Sequence, residues 1–242
     1  MTIDEILASL FPEGCSVTHD GGLLSGSGSL KGGGQVAMIG ITDRTAIGVD
    51  EAIRLSHYVL NAVLHGGEGP ILVLVDSDSQ RMSKRDELLG LNEFLAHLAK
   101  CLIYADMRGR HTVGLLYGHT AAGAFIATAL ATRTLVALPG AEPEVMDLPS
   151  MSKVTKLSLD LLKEKAKSTP VFAPGLENLA QTGAVHATWH EKTSLADQLQ
   201  ALLDTMQNSN GDQRDRLGKM RNGRPKAADI AERVHDLALR SQ

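Results

Sequence analysis

The sequence predicts an α/β fold, and three observations carry that expectation. Apolar runs of strand length, Gln35 to Ile41, Ile71 to Val75 and Thr112 to Tyr117, recur along the chain with amphipathic helical stretches between them. Both alternating faces of each run are largely apolar, as in strands buried on two sides within a parallel sheet. The third run breaks into Gly118-His119-Thr120-Ala121-Ala122-Gly123-Ala124, a small-residue turn into an apolar helix without Asp or Glu as far as Arg133.

Taken in order, residues 3 to 11 have the spacing of a short amphipathic helix that stops at Pro12. Val17 to Leu24 and Ser25 to Leu30 alternate as a hairpin does, and Gly32 to Gly34 mark a turn. A phosphate-cradling loop opens a helix, and this glycine cluster precedes a strand instead. Asp50 to Leu64 is a helix with an apolar stripe of Ile53, Leu55, Val59, Leu60 and Val63, closed by Gly66-Gly67. Asp76 to Arg85 reads as a polar loop leading into one long helix, Glu87 to Arg108. After the Gly118 turn come a helix, a strand over Thr134 to Leu138, the Pro139-Gly140 turn and a mostly helical region from Ser152. One short strand is expected over Val185 to Trp189 and an amphipathic helix over Ser194 to Met206. Gln207 to Gly211 reads as a linker, and a charged helix with Leu217, Ile230, Val234, Leu237 and Leu239 on one face runs to Gln242. The expected division is one domain over 1–206, then a linker and docking helix over 207–242.

Composition narrows the function. The 242 residues are 43% hydrophobic and 21% charged, with a net charge of -4. A pI near 6.1 leaves no electrostatic footprint for nucleic acid, and no apolar run reaches the length of a membrane span. The segment Met1 to Ile6 carries acids where a secretory signal carries lysines, so a cytoplasmic protein is expected. Cys15 and Cys101 stand far apart with no CxxC pair and no His at ligand spacing, so neither a disulfide framework nor a metal site is expected. Asp76-Ser77-Asp78-Ser79 looks like the start of a calcium loop, but no Gly occupies the sixth position.

The Gly118 to Gly123 turn is the candidate site. Small residues there let backbone N–H groups approach a ligand, and the following helix adds the positive end of its dipole. Gly118, Ala121, Ala122 and Gly123 are thus candidates to hold an oxyanion through backbone donors. His119 reads either as a hydrogen-bonding group for a carboxylate or thioester or as a structural histidine. Glu144 reads either as a catalytic carboxylate or as an acid at an element end, and Glu142 is a second candidate proton donor. The Asp76 to Ser83 segment, at the end of a buried parallel strand, is placed to supply Ser79 or Gln80 to a substrate. Lys153, Lys156, Lys163, Lys165 and Lys167 form a basic stretch, by default a solvated helix face and otherwise a contact for an acidic partner.

Four segments in this order carry a family resemblance: Gly26-Ser27-Gly28-Ser29-Leu30-Lys31-Gly32-Gly33, Asp76 to Ser83, Gly118 to Gly123, and Ala137-Leu138-Pro139-Gly140-Ala141-Glu142-Pro143-Glu144-Val145-Met146. Together they resemble the crotonase superfamily and, within it, the carboxyltransferase subunits of acyl-CoA carboxylases. Ser79-Gln80-Arg81-Met82-Ser83 with Arg85-Asp86-Glu87-Leu88-Leu89-Gly90-Leu91-Asn92-Glu93 is similar to malonate decarboxylase gamma subunits in particular. The resemblance spans essentially the whole chain. It implies a crotonase-like ββα superhelix of the carboxyltransferase type with a helical C-terminal region. It further implies a beta-subunit partner, an acyl carrier protein bearing a coenzyme-A-derived phosphopantetheine, and no cofactor on this chain. The implied reaction turns a malonyl thioester on the carrier into an acetyl thioester and carbon dioxide. In that frame Glu144 falls where the superfamily places a catalytic carboxylate, and Pro139 and Gly140 join Ser79 and Gln80 as substrate-binding candidates. Carboxyl transfer to a biotin carrier, or a scaffold role that completes the partner's site, are the alternatives. Enoyl-thioester hydration is disfavoured, because Ala121 to Arg133 offers no carboxylate to hold a water.

Overall fold

The computed structural model describes residues 1–170, 173–207 and 211–240, with the Gln207 side chain left out. The chain divides into two compact units, one of residues 1–145 with 188–210 and one of residues 146–187 with 211–242. Compactness therefore groups 146–187 with the terminal helices, and most of the linker expected over Gln207 to Gly211 lies outside the described residues.

The first unit opens with α1 (Ile3–Leu10), started by Thr2 and Glu5, each accepting the other's backbone N–H. Its Ile6, Leu7 and Leu10 are buried. An antiparallel meander follows: β1 (Cys15–Asp20), β2 (Leu23–Ser29) and β3 (Gln35–Ile47). The chain then alternates through α2 (Val49–His65), β4 (Ile71–Gln80), α3 (Lys84–Leu89), α4 (Leu91–Met107) and β5 (Thr112–Leu116). Beyond β5 come a short strand β6 (His119–Ala121), α5 (Ala122–Ala127), β7 (Thr134–Ala137) and β8 (Glu142–Glu144). β3, β4, β5 and β7 run parallel, and both faces of β4 and β5 are buried up to Val75 and Leu116, as their unbroken apolar sequence requires. β9 (Ala187–Thr188) ends the sheet, whose order is β1-β2-β3-β4-β5-β7-β9, and Trp189 N–H donates to the Ala137 carbonyl. β6 and β8 form a separate parallel pair. This is the expected crotonase-like α/β architecture with a helical C-terminal region.

Three expectations are corrected in detail. The hairpin turns at Gly21-Gly22, not at Leu24-Ser25, because two successive left-handed residues (φ +57° and +77°) suit glycine. The expected polar loop from Asp76 stays in the sheet as far as Gln80, since Ser77 and Gln80 pair with Thr45 and Ile47 of an unusually long β3. The expected helix from Glu87 to Arg108 is two helices, broken where Gly90 turns left-handed at φ +81°.

The second unit is helical: α6 (Leu148–Thr155), α7 (Leu159–Ser168), α8 (Leu176–Gln181), α10 (Arg214–Met220) and α11 (Ala227–Arg240), while α9 (Leu195–Gln207) belongs to the first unit. Arg221 holds the second unit's middle by donating to the carbonyls of Ala180, Val185 and His186 at 2.6, 2.7 and 2.7 Å. Its charge and, above all, burial push the His186 imidazole below its ordinary pKa. Backbones meet closely there: a Cβ on Gly223 would lie 2.2 Å from the Gln181 carbonyl oxygen. No helix among the described residues is long and apolar enough to cross a membrane.

Candidate functional site

The Gly118 turn is held from beneath by the polar end of β4. Asp76 is the first polar residue after five buried apolar ones, and its two carboxylate oxygens accept the N–H groups of His119 (3.0 Å) and Arg44 (3.2 Å). Asp43 and Arg44 both adopt left-handed φ, 57° and 51°, at a register shift in β3 that turns the Arg44 N–H toward Asp76. Gly118 is small for a specific reason. A Cβ on it would lie 2.2 Å from Asp76 Oδ1.

One residue on, Ser77 Oγ and Thr120 Oγ1 share a buried hydrogen bond of 2.8 Å. The Ser77 carbonyl lies 3.0 Å from His119 Nδ1. A carbonyl only accepts, so Nδ1 carries a hydrogen and Nε2 is the free basic nitrogen of the neutral ring. Tyr117, half-buried with its hydroxyl donating to the Ile41 carbonyl at 3.1 Å, is pushed far above the ordinary phenol range, first by burial and then by Asp76 and Asp43.

At the tip, Ala122 adopts φ +49°, a strained value for a residue with a Cβ, and the chain enters α5 abruptly. The Gly123 N–H is thereby aimed at Gln80, whose side-chain oxygen accepts it at 2.8 Å. The pairing of β6 with β8 sets Glu142 beside His119 and Glu144 beside Ala121. Residues 23 positions apart in sequence thus come together through two-strand geometry that no local pattern announces.

The motif after Gln80 has a structural explanation. Arg81 pairs with Glu51 at 2.7 Å, and Glu51 accepts the Gly48 N–H at 2.9 Å. Ser83 caps α3 and donates to Asp86 Oδ2 at 2.6 Å, while Asp86 Oδ1 accepts the Val49 N–H at 3.0 Å. Asp86 is 1% exposed, and the Ser83 hydroxyl followed by the Val49 N–H holds its carboxyl below the usual range. The stretch from Arg81 to Asp86 therefore clamps the end of β4 to the start of α2.

Not every expected residue joins this group. Ser79 Oγ bonds the neighbouring Gln80 carbonyl at 3.1 Å rather than the turn. Pro139 and Gly140 sit exposed in the bend between β7 and β8, which returns the chain so that Glu142 N–H reaches the Gly118 carbonyl at 3.0 Å. Asp76, Ser77, Thr120 and Arg44 are additions that sequence reasoning missed. Only Asp76 left a signal, as a lone acid ending an apolar strand. A cleft of about 400 Å³ between β2, β3 and α2, with His57, Tyr58, Asn61 and His65 on its helical side, shares no residue with the turn. Concavity and donor geometry thus point to different places. Among the described residues no group of three or more His, Cys, Asp or Glu is placed to hold a metal ion.

Residues 42–238 match the family described as malonate decarboxylase gamma subunit. The chain belongs to that family. The chain is 29% identical over 148 residues to the malonyl-S-ACP:biotin-protein carboxyltransferase MADD of Malonomonas rubra, covering 57% of this chain and 51% of that protein. It thus spans about half the length of that curated relative. In fold it is similar to a chain of a Pseudomonas malonate decarboxylase hetero-tetramer in complex with coenzyme A, at TM-score 0.78 and 24% identity over 98% of both chains. It is also similar to a chain of a Pseudomonas malonate decarboxylase hetero-dimer, at TM-score 0.73 and 23% identity, covering 97% of this chain and 99% of that one. The transcarboxylase 12S core shares the fold at TM-score 0.68 and 12% identity, covering 86% of this chain and 41% of that one.

Proposed function

We propose that this gamma subunit, paired with a beta subunit, decarboxylates a malonyl thioester carried on an acyl carrier protein, and that the Gly118 to Gly123 turn stabilises the enolate. The carrying observation is the 2.8 Å bond from Gly123 N–H to the Gln80 amide oxygen. An amide oxygen is a close chemical analogue of a thioester oxygen, so Gln80 marks the seat that a substrate oxygen would take. When the bond between the α-carbon and the carboxylate breaks, its electron pair moves into the thioester and negative charge gathers on that oxygen. A fixed N–H binds this charge more strongly than the neutral ground state, which is the catalytic differential. Such a donor is worth about 3 kcal/mol. The α-carbon then takes a proton, for which Glu144 beside Ala121, Glu142 beside His119, or a water near His119 Nε2 are the candidates. On this reading the Gln80 amide yields its seat on the Gly123 N–H to the thioester oxygen.

The malonyl group arrives as a thioester of the carrier's phosphopantetheine arm, which is substrate rather than a group resident on this chain. A second reading, carboxyl transfer to biotin, is favoured by the name of the Malonomonas relative. Reconstitution separates them. Incubating this chain and its beta subunit with malonyl-carrier is expected to yield acetyl-carrier and carbon dioxide without any biotin protein. Turnover that requires the biotin carrier overturns decarboxylation in favour of transfer.

A further inference from the structure

Met82 is an apolar residue left in solvent. It lies in the polar stretch Ser79-Gln80-Arg81-Met82-Ser83-Lys84-Arg85, is 79% exposed and takes no part in the core. The backbone on either side of it is nevertheless fixed. Arg81 N–H donates to the Ile47 carbonyl at 2.8 Å, and Ser83 N–H donates to the Arg81 carbonyl at 3.1 Å. The thioether is held against Gln80, whose side-chain Nε2 donates to Met82 Sδ at 3.9 Å.

The same carboxamide accepts the Gly123 N–H through its oxygen at 2.8 Å. A thioether can only accept and a backbone N–H can only donate, so the two partners agree on which end of the amide faces which. Sulfur, amide and N–H thus form one chain that starts in solvent and ends at the tip of the turn. Its outer link is the weak one, because a thioether sulfur carries little negative charge. A sulfoxide oxygen carries much more, since the S–O bond is strongly polarised, and it accepts correspondingly better.

We propose that Met82 is an oxidation site through which hydrogen peroxide tightens Gln80 onto the Gly123 N–H and slows the complex. The sulfur lone pair attacks one peroxide oxygen, the S–O bond forms as the O–O bond breaks, and the departing hydroxide takes the proton of the transferred oxygen and leaves as water. Sulfur is oxidised by two electrons and the peroxide reduced by two. Gln80 Nε2 then donates to the sulfoxide oxygen in place of sulfur, and the carboxamide is held firmly at both ends. The effect on turnover rests on the decarboxylase reading above, in which a substrate oxygen displaces Gln80. Each binding event must then break a stronger hold, while the complex once filled is unaltered, so KM rises and kcat does not fall.

The test exposes the assembled complex with the beta subunit to hydrogen peroxide, removes the peroxide, and only then adds malonyl-carrier. Peptide mass mapping is expected to find Met82 oxidised at least as fast as Met107, which is equally exposed at 79% at the end of α4. KM for malonyl-carrier should rise about three- to tenfold with kcat unchanged. Met107→Leu should keep this response and Met82→Leu should lose it, each compared with its own untreated form. The two methionine sulfoxide reductases, one for each epimer, should restore KM. Dithiothreitol, which reverses the milder oxidation of a thiol such as the exposed Cys15, should not. The assignment is overturned by Met82 left unoxidised in the complex, by a response that survives in Met82→Leu, by recovery with dithiothreitol alone, or by a loss confined to kcat. Should the untreated complex turn over no malonyl-carrier, the decarboxylase reading fails by itself. Hydrogen exchange at the Gly123 N–H then still decides, since it is expected to slow several-fold on oxidation, and unchanged exchange sinks the proposed site.

Discussion

The side-chain oxygen of Gln80 accepts the backbone N–H of Gly123 at 2.8 Å across 43 residues of sequence. In the free chain the donor that suits a substrate oxygen is thus held by an internal amide. On the proposed reading, substrate exchanges one neutral acceptor for another at nearly equal cost, and the donor stays oriented in the free chain.

That exchange separates two substitutions at one position. Gln80→Glu puts a carboxylate on the same N–H, a charge-assisted bond that a neutral thioester cannot displace and that repels the enolate. It is expected to lower kcat/KM about 100-fold or more. Gln80→Ala leaves water as the competitor and should cost less than about tenfold. Steady-state kinetics of the two variants with malonyl-carrier give the check, and equal losses would refute the exchange.

Gly118 and Asp76 form a testable pair. A methyl on Gly118 cannot coexist with Asp76 Oδ1 at 2.2 Å, so Gly118→Ala must displace the carboxylate that holds His119 N–H. A loss of about 2 to 3 kcal/mol is expected in urea unfolding. Part of it should be recovered when Asp76→Ala is added, because the carboxylate clash is then gone and only the 2.8 Å approach to the residue 76 Cβ remains, and a double-mutant cycle measures that coupling.

Ala122 carries strain that a glycine would not. At φ +49°, Ala122→Gly is expected to be neutral or to stabilise by up to about 1 kcal/mol. Ala122→Val should destabilise by about 1 to 3 kcal/mol, since a branched side chain tolerates that conformation least. Denaturant midpoints of the two variants moving in the same direction would contradict the strain.

Acid stability reports on Asp86. Its folded pKa lies below the unfolded value, so its contribution is present above the unfolded pKa and disappears as pH falls through the folded one. Ser83→Ala removes the first cause of that depression. The acid-unfolding midpoint followed by circular dichroism should therefore move to higher pH, while stability near neutrality falls by about 1 kcal/mol from the lost cap.

Arg110 makes a case for a buried charge satisfied by carbonyls. It is 4% exposed and donates to the carbonyls of Ala62, Gly66, Gly67 and Gly69 at the C-terminal end of α2, where the helix dipole favours a cation. Burial lowers its pKa, as expected without a carboxylate beside it. Arg110→Met removes the donor shared by those carbonyls, of which Ala62 keeps the Gly66 N–H, and should cost about 1 to 3 kcal/mol in thermal or urea unfolding.

Much of the architecture was legible from pattern. The buried runs at Ile39, Val73 and Leu115 had to be sheet interior, and Asp50 to Leu64 had to be helical. Of its expected stripe, however, only Leu55 and Val59 are buried, beside Ala52, Ser56 and Ala62, while Ile53 is exposed and Leu60 and Val63 are half-buried. Composition misled where polarity was taken for exposure. Ser77 is fully buried inside a strand, since Thr120 satisfies its hydroxyl.

The sequence by itself determined the family, the alternation of strand and helix, and the small-residue turn at Gly118, all of which are written in residue type and spacing. Tertiary structure alone decided that Gln80 faces Gly123, that Asp76 braces His119, and that Glu144 lies beside Ala121. Those relations depend on strand register and on side-chain partners dozens of residues away. Register is set by the packing of whole strands, and no local window of sequence contains it.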